Sequence, residues 1–207
     1  MLFKNPIFIS LIFIFSIIPL KAQMFFGGIK GGIVGSQVSG DNASGFNKAG
    51  IDLAVYSGFP IENRTSIQME IHYIQKGSRV NPKPEKYINK YLLRLNYVEI
   101  PIIYTWQGNE TFEIEGGLSY GYLIKNTDVE FDDNGLISGQ IDFKKYEISF
   151  HFGMNYIIRD NLKTNLRFSN SILPIRPHAS GATYLLNFGQ YNTLFTLGLT
   201  YQFGNNE

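Results

Sequence analysis

Residues 146–156, Tyr-Glu-Ile-Ser-Phe-His-Phe-Gly-Met-Asn-Tyr, alternate between apolar and polar side chains over their whole length. Successive side chains of a β-strand point to opposite faces, so this strand has one apolar face and one polar face. Its apolar face carries aromatic residues at both ends, and its polar face carries charge. Alternation of this kind over about ten residues is typical of a closed barrel with lipid outside and a polar interior.

Seven other stretches have a similar length, and most of them show the same alternation. Together the eight predict an all-β fold, an eight-stranded antiparallel up-and-down transmembrane barrel. The predicted strands are about Phe25–Gly35, Gly50–Phe59, Thr65–Gln75, Leu92–Trp106, Thr111–Lys125, Tyr146–Tyr156, Leu162–Ile172 and Tyr191–Phe203.

The connections between these strands alternate strictly between short and long. The short ones are Pro60–Arg64, Gln107–Glu110 and Arg159–Asn161, and the long polar ones are about Ser36–Ala49, Lys76–Tyr91, Asn126–Lys144 and Pro174–Gln190. Outer-membrane barrels have short periplasmic turns and long extracellular loops. A soluble barrel or sandwich, the alternative fold, has no reason to sort its loops by length onto two ends.

The N-terminus has the features of a secretory signal peptide. Lys4 precedes an uncharged run, Ile7–Leu20, and the small residue Ala22 follows. The run is too short to span about 30 Å of hydrocarbon comfortably. We therefore predict a signal peptide at 1–22, with cleavage near Ala22–Gln23, and a barrel domain at 23–207.

Charge and cysteine content exclude several classes of protein. The chain has 18 basic and 17 acidic residues, and loss of Lys4 and Lys21 with the signal peptide leaves 16 basic residues and a net charge of −1. This balance argues against nucleic acid as a partner. The chain has no cysteine, which excludes disulfides, a lipoprotein anchor and thiolate metal sites.

The fourth strand contains a conflict of phase. Arg94 and Asn96 share one face, whereas Glu99 belongs to the other. If all three point inward, with Leu95 and Tyr97 outward, the strand needs one extra residue. We therefore predict a β-bulge near Tyr97–Val98.

Charged residues of both signs fall on faces predicted to point inward. They are Lys30, Asp52, Glu70, Arg94, Glu99, Glu113, Glu115, Glu147, Lys163 and Arg167. Side chains fill the interior of an eight-stranded barrel, and buried charges need partners. The interpretation is an ion-paired polar interior. The alternative is an acid/base or cation site at Glu113 and Glu115, although Arg94 and Arg167 are their more plausible partners.

The histidines offer the only candidate for hydrolytic chemistry. His72 and His151 have inward phase, and His178 lies near Ser180 in the last long loop. A lipid hydrolase needs a Ser–His pair within hydrogen-bond reach, and Ser149 shares a face with His151. The sequence has no metal-ligand spacing, phosphate loop or nucleophile elbow, so we expect no metal and no cofactor.

Outward-facing aromatic residues are predicted to form belts at both membrane interfaces. At the turn end they are Tyr104, Trp106, Phe112, Tyr156, Tyr201 and Phe203, and at the loop end Tyr73, Tyr91, Tyr122, Tyr146 and Tyr191.

Several short motifs lie along the predicted barrel domain. They are Gly28-Ile29-Lys30-Gly31-Gly32, Ile74-Gln75-Lys76-Gly77, Leu95-Asn96-Tyr97-Val98-Glu99-Ile100-Pro101, Glu115-Gly116-Gly117, Gly121-Tyr122-Leu123 and Leu197–Phe203. On these motifs the chain resembles the PorT-like outer-membrane β-barrel domain family of Gram-negative bacteria, small barrels of the OmpA or OmpX type. The resemblance implies an eight-stranded outer-membrane barrel. It implies no activity, although the namesake takes part in assembling a secretion apparatus.

The last strand resembles the insertion signal that the barrel assembly machinery recognises. Gly198, Tyr201 and Phe203, with Thr196 before them, fit a polar-x-Gly-x-x-aromatic-x-aromatic pattern. The pattern often ends at the final aromatic residue, whereas here Gly204–Glu207 follows. An ordinary strand with aromatic interface anchors is the alternative interpretation.

The sequence therefore favours a monomeric, non-enzymatic outer-membrane barrel with a structural, loop-displaying or assembly role. The expected partners are outer-membrane lipid, the barrel assembly machinery and a protein bound by the long loops. A basic second loop and an acidic third loop are candidates for that contact. A lipid-modifying hydrolase and a small-solute pore are the alternatives.

Overall fold

The computed structural model describes residues 25–41, 45–80, 90–132, 135–137, 142–177 and 188–203. The predicted signal peptide, His178 and Ser180 lie outside these residues. Within the described ranges there is no helix that is long and apolar enough to cross a membrane.

Nine strands are present among the described residues. They are β1 (Phe26–Ser39), β2 (Lys48–Glu62), β3 (Thr65–Val80), β4 (Lys90–Gln107), β5 (Phe112–Asp132), β6 (Gly135–Ile137), β7 (Tyr146–Arg159), β8 (Leu162–Ser171) and β9 (Tyr191–Phe203).

Eight of these strands form a closed antiparallel barrel, as predicted. Neighbours in the chain pair with each other, and β5 pairs with β7. Pairing of β1 with β9 closes the ring, from Gly27↔Phe203 to Ser39↔Tyr191. The short β6 pairs only with the far end of β5 and is no part of the ring. A closed ring leaves no sheet edge unpaired, which a strand crossing lipid requires.

The alternation in β7 has the predicted consequence for the two faces. Glu147, Ser149, His151 and Asn155 are buried in the interior, whereas the aromatic and aliphatic residues between them are exposed on the outer wall. The same holds around the ring, so the outer wall below the loop end is predominantly apolar. Such a surface is stable only against lipid or another apolar partner.

The three predicted short turns are present at one end of the barrel. Residues 63–64, 108–111 and 160–161 connect β2 to β3, β4 to β5 and β7 to β8. In the second turn the Asn109 side-chain oxygen accepts hydrogen bonds from the backbone N–H groups of Thr111 and Phe112, both at 2.8 Å. Asparagine commonly stabilises turns in this way.

At the loop end five strands are longer than predicted. β1 continues to Ser39, β2 begins at Lys48, β3 continues to Val80, β4 begins at Lys90, and β5 reaches Asp132. Their backbones keep pairing where the sequence predicts loops, as in Val80↔Tyr91 and Lys90↔Phe131. The polar composition that suggested loops is compatible with strands that leave the hydrocarbon region.

The structure has a bulge in β5, whereas the sequence predicts it in β4. The β3–β4 pairing keeps one register from Thr65↔Trp106 to Val80↔Tyr91, so β4 has no extra residue. The irregularity lies at the predicted height but on β5. There Leu123 pairs with Tyr97, Lys125 pairs with Asn96, and Ile124 is the extra residue.

The regular course of β4 also corrects the placement of Arg94. Leu93, Leu95 and Tyr97 have exposed fractions of 0% and point inward, whereas Arg94 is exposed on the outer wall. The prediction that Arg94 belongs to the lumen is therefore wrong. The physical reason is height, because near the loop end a charged side chain on the outside is no longer in hydrocarbon.

The inward residues of β4 belong to an apolar cluster that fills the loop end of the barrel. Its members come from five of the strands and two of the loops, and they are Val34, Val38, Ile74, Tyr91, Leu93, Leu95, Tyr97, Leu123, Phe143, Ile175 and Leu194. Tyr91 is thus an interior residue, contrary to its predicted place in the outer belt. The barrel interior is apolar at the loop end and polar from there to the turn end.

The outer aromatic belts are otherwise present. At the turn end the rings of Phe112 and Tyr156 make an edge contact with centroids 5.3 Å apart. At the loop end Tyr146 contacts both Tyr120 and Tyr122, at 5.7 and 5.5 Å. Exposed aromatic rings at both ends fix the depth of a barrel in the bilayer.

Candidate functional site

The centre of the barrel interior is an ion-paired network around Glu70. Arg167 donates to both oxygens of this carboxylate, from Nη1 at 2.7 Å and from Nη2 at 3.1 Å. The Lys30 ammonium contacts one of the same oxygens. The Arg167 Nε atom donates to Glu115 Oε1 at 2.5 Å. One guanidinium therefore joins two carboxylates that lie on β3 and β5.

His72 extends this network to a third carboxylate. Its Nδ1 lies 2.6 Å from Asp52 Oδ1, and its Nε2 lies 2.5 Å from Glu70 Oε2. Each ring nitrogen thus lies within hydrogen-bond distance of a carboxyl oxygen, and the ring bridges Asp52 and Glu70. Lys30 and Arg167 supply the positive charges that contact Glu70 and Glu115. Burial of these groups is tolerable because each charge has a partner.

A glycine on β7 makes room for the contact between Glu115 and Arg167. Gly153 pairs with both residues across β5 and β8. A Cβ atom at this position would lie 2.7 Å from Glu115 Oε1. The carboxylate and the guanidinium therefore meet over a strand that has no side chain there.

A second ion cluster lies between this network and the apolar cluster. The fully buried Lys76 ammonium contacts Glu99, and its distance to Glu147 Oε1 is 2.8 Å. Asn192 Nδ2 donates to the other oxygen of Glu147 at 2.8 Å. The ammonium also lies 5.0 Å from the centroid of the Tyr97 ring, the first side chain of the apolar cluster.

Lys76 was missed from sequence because it was assigned to a loop. The signal that identifies it is the phase of β3, in which Glu70, His72, Ile74 and Lys76 share the inward face. Extending the alternation by one residue beyond Gln75 places the lysine inside.

The two candidate acid/base residues have separate partners. Lys163 Nζ contacts Glu113 Oε1 at 2.6 Å near the turn end. Glu115 binds Arg167 and also accepts from Asn165 Nδ2 at 3.0 Å and Asn155 Nδ2 at 3.1 Å. The structure therefore brings nine of the ten predicted lumen residues into the interior and leaves Arg94 outside. None of the described residues forms a group of three or more ligands suited to a metal ion.

His151 has hydroxyl partners other than the predicted one. Its Nδ1 lies 2.7 Å from Ser169 Oγ, and its Nε2 lies 2.7 Å from Ser119 Oγ. Ser149 instead donates to Glu147 Oε1 at 2.7 Å. Both imidazole nitrogens thus bind hydroxyl groups inside the wall, and among the described residues no carboxylate contacts the ring. His151, Ser119 and Ser169 are all buried.

The space left inside the described part of the barrel is small. The cavity beside Lys30, Asp52 and Arg167 has a volume of about 10 Å³. The one near Glu113 and Lys163 has a volume of about 20 Å³. Volumes of this size hold about one water molecule each. Around these residues the polar interior is therefore filled by side chains.

Residues 22–175 match the sequence profile of the family described as outer membrane protein beta-barrel domain. The chain belongs to this family of outer-membrane β-barrels. Membership agrees with the closed ring, the apolar wall and the aromatic belts, and it makes the chain an outer-membrane β-barrel protein.

Solved structures with the same fold include Ail and Neisserial surface protein A. The attachment invasion locus protein Ail of Yersinia pestis is 15% identical, has a TM-score of 0.53, and the match covers 86% of this chain and 98% of Ail. Neisserial surface protein A is 11% identical, with a TM-score of 0.52 and coverage of 84% and 96%. At these identities the likeness shows the fold alone. No protein of curated function matches the sequence significantly.

Proposed function

We propose that the protein is a sealed, non-enzymatic outer-membrane barrel that acts through its surface, as a structural or loop-displaying protein or as an assembly partner. The observation that carries this proposal is the filled interior. A solute would have to cross the Glu70–Arg167–Glu115 layer and then the apolar cluster around Leu95 and Tyr97. Neither layer opens without loss of buried ion pairs or of apolar packing.

The sealed interior predicts that the barrel does not conduct ions. Reconstituted in a planar lipid bilayer, the purified mature chain should give no discrete conductance steps, because no continuous water path crosses the two layers. A general porin studied in parallel establishes that the assay detects open pores. Regular steps from the wild-type chain, scaling with its amount, would establish the small-solute pore and overturn the proposal.

The absence of catalysis is part of the same proposal. His151 is the described residue best placed for hydrolysis, yet its partners Ser119 and Ser169 lie with it inside the wall. An ester bond in the surrounding lipid does not reach these hydroxyls. The predicted alternative, a lipid-modifying hydrolase, has no support from the geometry of the described residues.

Export and insertion are also proposed from the sequence. A signal peptide cleaved near Ala22–Gln23 would direct the chain through the inner membrane. Tyr201 and Phe203 are exposed on the outer face of β9, with ring centroids 5.8 Å apart. Their outward position supports a role in recognition by the barrel assembly machinery, which meets the strand before closure with β1.

The finer kinship with PorT-like barrels remains a proposal that rests on the sequence block Asn96–Pro101. This block spans the point where β5 has its bulge and where the interior changes from apolar to ion-paired. A structural role for the block accounts for its residues without any secretion function. Assembly with a secretion apparatus would instead require a partner at the loops or at the outer wall.

A further inference from the structure

The outer wall carries a basic groove at the loop end, which we call the rim groove. It crosses β2 to β5, has a volume of about 310 Å³, and is lined by Lys48, Arg79, Arg94 and Lys125 together with polar groups. No acidic side chain is among the described residues that line it. Arg79, Arg94 and Lys125 are exposed on the outer wall, whereas Lys48 is buried. The exposed face of a lipid-embedded barrel is an unusual place for three basic residues.

The bulge in β5 builds one side of this groove. Through Leu123 the odd-numbered residues of β5 point inward. The extra residue Ile124 reverses the phase, so that Lys125 pairs with Asn96 and Thr127 pairs with Arg94, all on the outer wall. Without the bulge Lys125 would point into the apolar cluster. Bulges often redirect a side chain at a functional site.

A glycine of β3 lies next to Arg94, between the groove residues Gln75 and Arg79. Gly77 pairs with Arg94 and has a φ of +137°, in the region that favours glycine. A Cβ atom there would lie 2.1 Å from the Leu93 carbonyl oxygen. The position between Gln75 and Arg79 is therefore restricted to glycine, so no side chain of β3 stands between these two groove residues.

The groove begins where the apolar wall ends. On β4 the outward residues Val98 and Ile100 lie directly below Asn96 and Arg94 and are 38% and 44% exposed. On β5 the outward Tyr122 belongs to the loop-end aromatic belt. The rim groove thus lies at the height of the lipid headgroups. Basic side chains at this height attract anionic headgroups.

Arg94 and Lys125 are suited to bind phosphate. Neither forms an ion pair with any residue whose side chain the structure describes, a set that leaves out residues 128–132. A guanidinium can donate two parallel hydrogen bonds to a phosphate, and an ammonium adds a third donor group. We propose that the rim groove binds the phosphorylated headgroup of an outer-leaflet lipid, whose acyl chains lie against Val98, Ile100 and their neighbours.

The proposal predicts binding that depends on both the phosphate and the two basic residues. The purified barrel in a neutral detergent is titrated with a diphosphorylated glycolipid of the lipid A type and with the same lipid after removal of its phosphates, and bound lipid is counted by native mass spectrometry. The phosphorylated lipid should bind at least about tenfold more tightly, because charge-assisted hydrogen bonds are lost with the phosphates. The double variant Arg94→Gln, Lys125→Gln should abolish most of this preference.

A matched control removes the same charge at the opposite end. Arg64→Gln, Arg159→Gln changes two exposed arginines of the turns and should leave the preference unchanged. Equal binding of the two lipids by the wild-type barrel would overturn the proposal, and this comparison needs no variant to fold. Equal weakening by the control pair would also overturn it, because general electrostatics would then explain the binding. If inorganic phosphate binds as tightly with the same dependence on Arg94 and Lys125, the site recognises a free anion and the lipid assignment is wrong.

Discussion

Replacement of Arg167 by Met is expected to destabilise the barrel by about 3–5 kcal/mol or to prevent its folding, because removal of one partner leaves the other charges buried and uncompensated. Arg167 is fully within the interior and donates to both Glu70 and Glu115. The methionine fills similar volume but offers no donor to either carboxylate. Urea unfolding in vesicles of zwitterionic lipid, followed by tryptophan fluorescence, measures the loss.

The matched control is Arg94→Met. Both arginines were predicted to lie in the lumen, whereas the structure places Arg94 on the outer wall near the headgroups. Its replacement should change the free energy of unfolding by no more than about 0.5 kcal/mol. A large loss for Arg94→Met with a small loss for Arg167→Met would mean that the described arrangement of the interior is wrong.

Replacement of Lys76 by Met should cause a comparable loss of about 3–5 kcal/mol. Its ammonium is the shared partner of Glu99 and Glu147, and the apolar cluster begins immediately above it. Without that charge two carboxylates face each other with no described cation between them. Lys125→Met, which removes a lysine from the outer wall at the same end, is the control and should be nearly neutral in the same unfolding assay. Equal stability of the Lys76→Met barrel and the wild type would show that Lys76 is in solvent, as a loop residue would be.

The two faces of each strand were predictable because strand geometry has a period of two. The alternation in Tyr146–Tyr156 correctly predicts which side chains of this strand are buried. Closure of the ring followed from strand number and from loop lengths that alternate between the two ends. Most of the lumen charges followed from phase alone, since a charge in the hydrocarbon region has to point inward.

Height along the barrel axis was the information that the sequence pattern lacked. Phase alone does not tell where the outside stops being hydrocarbon, so Arg94 and Asn96 were assigned to the interior and a bulge was placed in β4. Leu93, Leu95 and Tyr97 point inward instead, because the interior at this height is apolar. The alternation in β4 is compatible with either set of side chains pointing inward. In the structure the apolar set points inward because it packs in the apolar cluster.

The sequence also does not show which charged residues of the interior form ion pairs with each other. Pairing of Glu115 with Arg167 depends on the register of β5, β7 and β8 and on the missing side chain of Gly153. Glu113 pairs with Lys163 because those residues lie at the same level of the turn end. Sequence predicted an ion-paired interior but not which charges meet.

Most directly, spin labels placed one residue at a time along β7 test whether the apolar wall faces lipid and the polar face is sealed. The chain has no cysteine, so each engineered cysteine is unique. In lipid vesicles, labels at Ile148, Phe150, Phe152 and Met154 should show high collision rates with oxygen and low rates with a water-soluble nickel complex. Labels at Ser149 and Asn155 should show low rates with both. Rates that do not alternate along the strand, or outward labels that collide freely with the nickel complex, would contradict the barrel described above.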